Sequence, residues 1–196
     1  MYYRRSIREH VDTSRQKRRK ALPACYRDDR YKIERGHFMP FQATQFTRSG
    51  VIHSKETIED VFPLLCPKKE EEWIPGWECE TIWSSTGYNE EGAIFRTIKP
   101  YGTELYWTTL HYDIESKVVD FLITAPHLYM FRFKIDLTTN NDGLLTITFT
   151  QVFTSLSEEG AAFLDRYRRE DFEERLKNLE GFMNGFLDDM REKKQM

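Results

Sequence analysis

The chain has 196 residues, 14% of them aromatic and 31% charged, with a formal net charge of -3. One substantial core fits this length, and an aromatic load of this size demands a place to put large rings. The sequence has no run of about 20 apolar residues that would span a bilayer and no apolar leader near its start, so the expectation is a soluble cytoplasmic protein. The three cysteines, Cys25, Cys66 and Cys79, make no CxxC, and His53, His111 and His127 lack metal-ligand spacing, so no metal, cofactor or disulfide framework is expected.

Charge is unevenly spread. Residues 1 to 35 hold twelve Lys or Arg against five Asp or Glu, a net of +7, which leaves -10 for the rest. The runs "RRSIREH" and "RQKRRK" admit three readings. Residues 1–43 form a basic extension too poor in apolar residues to fold, or an arm that neutralises phosphates, which makes nucleic acid an unlikely partner except through this segment. The third reading is a mis-assigned start: Glu34-Arg35-Gly36 can be encoded by a purine-rich string resembling a ribosome-binding site just ahead of Met39. Under it, Met39 is the native first residue.

From residue 44 onward the pattern is that of a folded domain, expected to run over 44–196. "TQFTRSGVIHS" reads as a strand that Gly50 weakens. Ser54 offers a helix start, with Glu56 and Glu59 near the positive end of the helix dipole, and Ile58, Val61, Phe62 and Leu65 follow at helical spacing. Pro67 ends that helix, and "PKKEEEW" makes a second short one. In "EEWIPGWECE", Pro75 and Gly76 turn the chain. Trp77 then shares a two-residue period with Cys79, Thr81 and Trp83, the parity of a buried sheet face. Trp73 stays on the helical side, closing the helix against the sheet or standing at a pocket rim.

Five further strands follow, "AIFRTI", "TELYWTTLHYDI", "KVVDFLIT", "HLYMFRFKIDLT" and "LLTITFTQVFT". Short connections between them, "NNDG" the clearest, imply an antiparallel meander. Ser157 opens a helix that is expected to bend near Arg168 or Arg169. Phe172, Leu176, Leu179, Met183, Phe186 and Met190 then draw an apolar stripe on a long C-terminal helix. Strands followed by a covering helix define an α+β domain.

From about Gln45 to Arg191 the chain resembles the START-like, Bet v 1-like helix-grip superfamily, also called SRPBCC, which includes polyketide cyclases and lipid-transfer domains. "VFPLLCPKKEEEWIPGW", "EEGAIF", "WTTLHYD" and the final helix carry the likeness, which is greatest to prokaryotic members of unassigned activity. The resemblance implies a curved antiparallel seven-stranded sheet wrapped around the long C-terminal helix, with two short helices after the first strand. It also implies a cavity between sheet and helix, and the usual ligand range is roughly 300 to 1,000 Å³.

Rings on the shared strand faces and on the helix stripe are the candidate ligand contacts. From the sheet side these are Trp73, Trp83, Phe95, Trp107, Tyr129, Phe131, Phe133 and Phe149. From the helix they are Leu179, Phe182, Met183 and Phe186. Gly181 and Gly185 interrupt that helix, to allow close packing or to leave room for a ligand. His111 and Asp113, two apart on one strand, are the weak candidates for an acid–base pair, with Tyr112 between them. Arg96 and Arg132 read as outward-facing. No nucleophile elbow, phosphate loop or dinucleotide fingerprint is present.

Three functions stay open at this stage. The first is a carrier or sensor for a small apolar or amphipathic ligand. The second is a cyclase or dehydratase using the same cavity. The third is a protein-interaction module like the Hsp90-activating relatives of the fold.

Overall fold

The computed structural model describes residues 41–98, 103–168 and 172–195. The expectations placed on residues 1–40, Met39 included, lie outside the described residues. Strand β1 (Gln45–Ser54) leads into a single helical turn, α1 (Ile58–Val61), and two 3-10 turns, Phe62–Leu65 and Lys69–Glu72. Six strands follow: β2 (Cys79–Trp83), β3 (Ile94–Ile98), β4 (Glu104–Asp113), β5 (Val118–Ala125), β6 (Tyr129–Thr139) and β7 (Leu145–Ser155). Helices α2 (Glu158–Tyr167) and α3 (Phe172–Gln195) close the chain.

The strands make one curved seven-stranded antiparallel sheet in the order β1-β7-β6-β5-β4-β3-β2. Strands β2 to β7 are a plain meander, and β1 returns to pair with β7 along its full length. Alternation aligns the inward side chains into rows, because a two-residue period puts every second residue on one face. One row runs Trp107, Ile123, Phe131, Phe153, Phe46 across five strands. Its rings touch, with Phe131 and Phe153 stacked at 4.5 Å and Phe46 and Phe153 at 5.1 Å between centroids. The "NNDG" turn forms as expected: Gly143 takes φ 81°, and the Asn140 carboxamide oxygen accepts from the backbone N–H groups of Asp142 and Leu144.

Two bulges break the expected parity. In β4 the register shifts between Thr109 and His111. The extra residue turns Tyr112 inward, its ring 4.7 Å from that of Phe62, so His111 no longer shares a face with Trp107. In β2 the shift falls between Thr81 and Trp83, and Trp83 is 54% exposed rather than part of the buried face. The strand itself starts at Cys79, so Trp77 lies in the preceding loop.

The helix start expected at Ser54 falls at Thr57, whose hydroxyl accepts from the Asp60 N–H at 3.3 Å. Ser54 is instead the last, buried residue of β1. Ser157 caps α2 as expected, accepting from the Gly160 N–H at 3.0 Å. Helix α3 leans on β1. A Cβ at Gly50 would lie 2.2 Å from Leu176 Cδ1, which accounts for the glycine in mid-strand. Along the open edge of β1, Glu180 accepts from the His53 N–H and Asn184 donates to the His53 carbonyl, at 2.7 and 2.9 Å. These contacts satisfy backbone groups that an edge strand leaves unpaired. Gly181 and Gly185 have nothing within 4 Å of an added Cβ, so neither serves close packing.

Candidate functional site

Between the concave face of the sheet, the segment from Leu65 to Trp77 and the two helices lies a cavity of about 160 Å³. Strands β4, β6 and β7 contribute Leu105, Trp107, Phe131, Phe133, Ile135, Phe149 and Gln151. Helices α2 and α3 contribute Tyr167 and Leu179, and the connecting segment adds Leu65, Glu70, Trp73, Ile74 and Trp77. Half of these residues are aromatic. The volume falls below the expected range because rings occupy the space: Phe133 stacks on Phe149 at 5.7 Å, and Trp107 meets Trp77 and Phe121 edge-on at 5.8 and 5.5 Å. A larger depression of about 380 Å³ lies at Glu71, Glu78, Cys79, Glu80, Arg96 and Ile98. Its Arg96 is already paired with Glu80 and Glu104 and its Glu71 with Lys68, so it offers weaker chemistry despite its size.

The tryptophans give the cavity ring surface and no hydrogen-bond donor. Trp73 donates its indole N–H to the Leu64 carbonyl at 3.1 Å, and Trp77 donates to the Pro67 carbonyl at 2.8 Å. Trp107 donates to the Thr97 hydroxyl at 3.0 Å. A buried indole needs such a partner, and each finds it away from the cavity.

Glu70 is the exception among these satisfied groups. Its residue is 9% exposed, and its carboxyl has no hydrogen-bond or ion-pair partner among the described residues. Burial alone pushes its pKa up from 4.5 to about 8, so at neutral pH the carboxyl is largely protonated. The neighbouring glutamates behave differently. Glu71 pairs with Lys68 and accepts from the Cys79 N–H, while Glu72 pairs with Lys69. The 3-10 turn explains the division, since residues three apart eclipse on one side of it and Glu70 therefore falls in line with Trp73.

A second polar element lies on β7. Gln151 has its side-chain oxygen buried without a partner. Arg48, its direct neighbour across the β1 and β7 pairing, has one buried guanidinium nitrogen, Nη1, likewise without a partner. The Arg48 guanidinium sits 4.2 Å over the Tyr167 ring and donates through Nη2 to the Tyr167 carbonyl, outside the cavity lining.

Six of the residues singled out from sequence meet at this cavity: Trp73, Trp107, Phe131, Phe133, Phe149 and Leu179. The other six lie elsewhere. Phe95 and Met183 are buried in the solid core, and Tyr129 packs against Phe163 and Phe153. Trp83 is turned out by the β2 bulge, and Phe182 is 42% exposed on the flank of α3. Phe186 lines a separate groove of about 130 Å³ with Leu64, Leu187 and Met190. The acid–base candidates also stand apart from the cavity. His111 Nε2 contacts the Ser116 hydroxyl at 3.0 Å. The Asp113 carboxylate accepts from the Ser116 and Glu115 N–H groups, which hold its pKa below the usual value. Burial pushes the Tyr112 hydroxyl up to about 12. Arg96 and Arg132 face outward, Arg132 onto Asp120.

Glu70, Gln151 and Tyr167 went unnoticed in the sequence. Glu70 lies within "KKEEE", which reads as a solvated face, and its only signal is the three-residue offset from Trp73. Among the described residues no group of three or more His, Cys, Asp or Glu is placed to hold a metal ion, and no helix is long and apolar enough to cross a membrane.

The architecture is the Bet v 1-like helix-grip fold. Norcoclaurine synthase from Thalictrum flavum is similar at a TM-score of 0.55 and 11% identity, over 74% of this chain and 87% of that one. Its structure in complex with dopamine and hydroxybenzaldehyde is similar at a TM-score of 0.53 and 13% identity, over 75% and 88%. At such identity the likeness is one of fold. No protein-family model and no curated protein matches the sequence.

Proposed function

We propose that this protein binds a small hydrophobic or amphipathic molecule in the cavity between sheet and helices, as a carrier or sensor. The observation that carries this reading is an aromatic-walled cavity lined by the buried, unpartnered side-chain oxygen of Gln151 and by the Glu70 carboxyl, which has no partner among the described residues. Native proteins rarely leave a buried polar group unsatisfied, and a bound molecule would supply the missing partner. A volume of about 160 Å³ is close to that of engineered apolar cavities of about 150 Å³ that take up benzene, so the occupant is one ring or a short chain in size. Native mass spectrometry of protein taken from its own host tests the proposal. A small non-covalent adduct is expected, and its loss in Phe131→Trp, which fills the cavity, would tie it to this site. An adduct that survives the filling substitution would place binding elsewhere and sink the reading.

The same carboxyl favours a second reading, an enzyme of cyclase or dehydratase type. A carboxyl that is largely protonated at neutral pH in an aromatic-walled pocket is suited to donating a proton. Here Glu70 takes the role first considered for His111 and Asp113. Under this reading Glu70→Gln abolishes turnover with binding retained, whereas His111→Ala leaves turnover intact.

A further inference from the structure

We infer that the occupant of the cavity is a small amine, bound as its ammonium ion with Glu70 as the counter-ion and the surrounding rings as the rest of its shell. This rests on the cavity being a binding site and says which chemistry it selects. Two observations converge on it. Among the described residues Glu70 is the only charged side chain in the lining, and no Lys, Arg or His contributes to it. The tryptophans have spent their N–H groups on backbone and threonine oxygens, so what they present to an occupant is the negative face or the edge of a ring. A cation gains from ring faces and from the carboxylate together, whereas an anion gains from ring edges alone and is repelled by the carboxylate. A neutral ligand can hydrogen-bond to the protonated carboxyl but leaves the cation-binding capacity of the rings unused.

The groups around Glu70 do not compete for the role. Lys68 and Lys69, in the same stretch, are held by Glu71 and Glu72. The nearby Cys66 and Cys79 thiols are kept neutral by burial, Cys79 with its pKa pushed up to about 12. Strands β4, β6 and β7 and helix α3 bring no charged residue to the lining, and Arg48, stacked over the Tyr167 ring, is not part of it.

The proton balance follows directly. At pH 7 the amine arrives protonated and Glu70 carries its own proton, so forming the ammonium–carboxylate pair sends the Glu70 proton to solvent. Close to one proton is therefore released per amine bound, and none for a neutral ligand.

Calorimetric titration of the full chain with 2-phenylethylamine, 2-phenylethanol and phenylacetate tests the inference, since the three share a ring and differ in charge. The amine is expected to bind most tightly and phenylacetate least. With Glu70 titrating at about 8, amine affinity rises about tenfold between pH 7 and pH 9, while the alcohol's does not rise. Repeating the titration at pH 7 in buffers of different ionisation enthalpy reads the proton release. Glu70→Gln is expected to erase the preference for amine over alcohol. Equal affinity for amine and alcohol at pH 9, or an amine preference that survives Glu70→Gln, overturns the amine inference and leaves the cavity reading standing if the alcohol binds. The wild-type pH profile decides the matter even if the variant does not fold. Failure of all three compounds to bind overturns both.

Discussion

Glu70 and the His111 and Asp113 pair are acid–base groups near large rings, but one is short of partners and the other is fully supplied. Asp113 accepts from two backbone N–H groups of the β4 to β5 turn, and His111 contacts a serine of the same turn. Every polar contact there is local and holds the chain in place. Glu70 has no such contact among the described residues, and tryptophan, leucine and phenylalanine side chains line the cavity with it. Satisfied polar groups belong to the architecture. Under the proposed function, the Glu70 carboxyl and the buried Gln151 oxygen are where a ligand would complete the structure, because leaving a buried polar group unpaired costs free energy that a partner recovers.

The largest effect that could break this contrast is at Glu70 itself. An acid whose pKa is raised on folding takes up protons as the chain folds, so its cost is absent below the unfolded value of 4.5, grows as pH rises, and is complete above about 8. At about 1.4 kcal/mol per tenfold change in proton affinity, the neutral variant Glu70→Gln should be more stable than wild type by roughly 3 to 5 kcal/mol at pH 9. Urea denaturation at both pH values checks it, with the difference nearly gone at pH 5. An equal gain at both pH values would mean that the carboxyl is not desolvated as described.

Smaller effects sharpen the comparison from the structural side. Gly181→Ala and Gly185→Ala should each stabilise α3 by up to about 1 kcal/mol, because the added methyl groups meet nothing. Thermal denaturation reads this, and ligand affinity should stay constant, which would remove these glycines from the cavity's workings. Asp113→Ala should cost a modest amount of stability at neutral pH. Its wild-type contribution is present above the unfolded pKa of 3.8 and is lost as pH falls through the depressed folded value, so the two proteins converge in acid. Last, His111→Ala should leave the affinity for 2-phenylethylamine unchanged, and a clear loss would return that pair to the site.

Much of the fold is legible from residue pattern alone. Alternation specifies the meander and "NNDG" its clearest turn, and of the expected α3 stripe Leu176 and Met183 are buried while Met190 is 41% exposed and Leu187, not part of that stripe, is buried in its place. What stays hidden has identifiable causes. A bulge adds one residue without a distinctive sequence mark, so Trp83 leaves the buried face expected for it and His111 leaves the face of Trp107. Trp77 looks like the start of a strand because Pro75-Gly76 and the following alternation permit it, yet pairing begins only at Cys79. Glu70 is invisible because helical and 3-10 turns of a charged run differ in which residue points inward. Cavity volume is set by how rings such as Phe133 and Phe149 interlock, and the order of residues along a chain does not encode that gap.

Gly50 lies under the helix that borders the cavity. A glycine in mid-strand costs the sheet roughly 0.5 to 1 kcal/mol relative to alanine, and here it seats Leu176 of α3. Leu179, three residues further along the same helix, borders the cavity. A single methyl group at position 50 would be taken up first by Leu176, whose flexible end is the nearest atom it meets. Position 50 is thus a place where one methyl group tests how firmly the helix is seated on the sheet, without altering any side chain that lines the cavity.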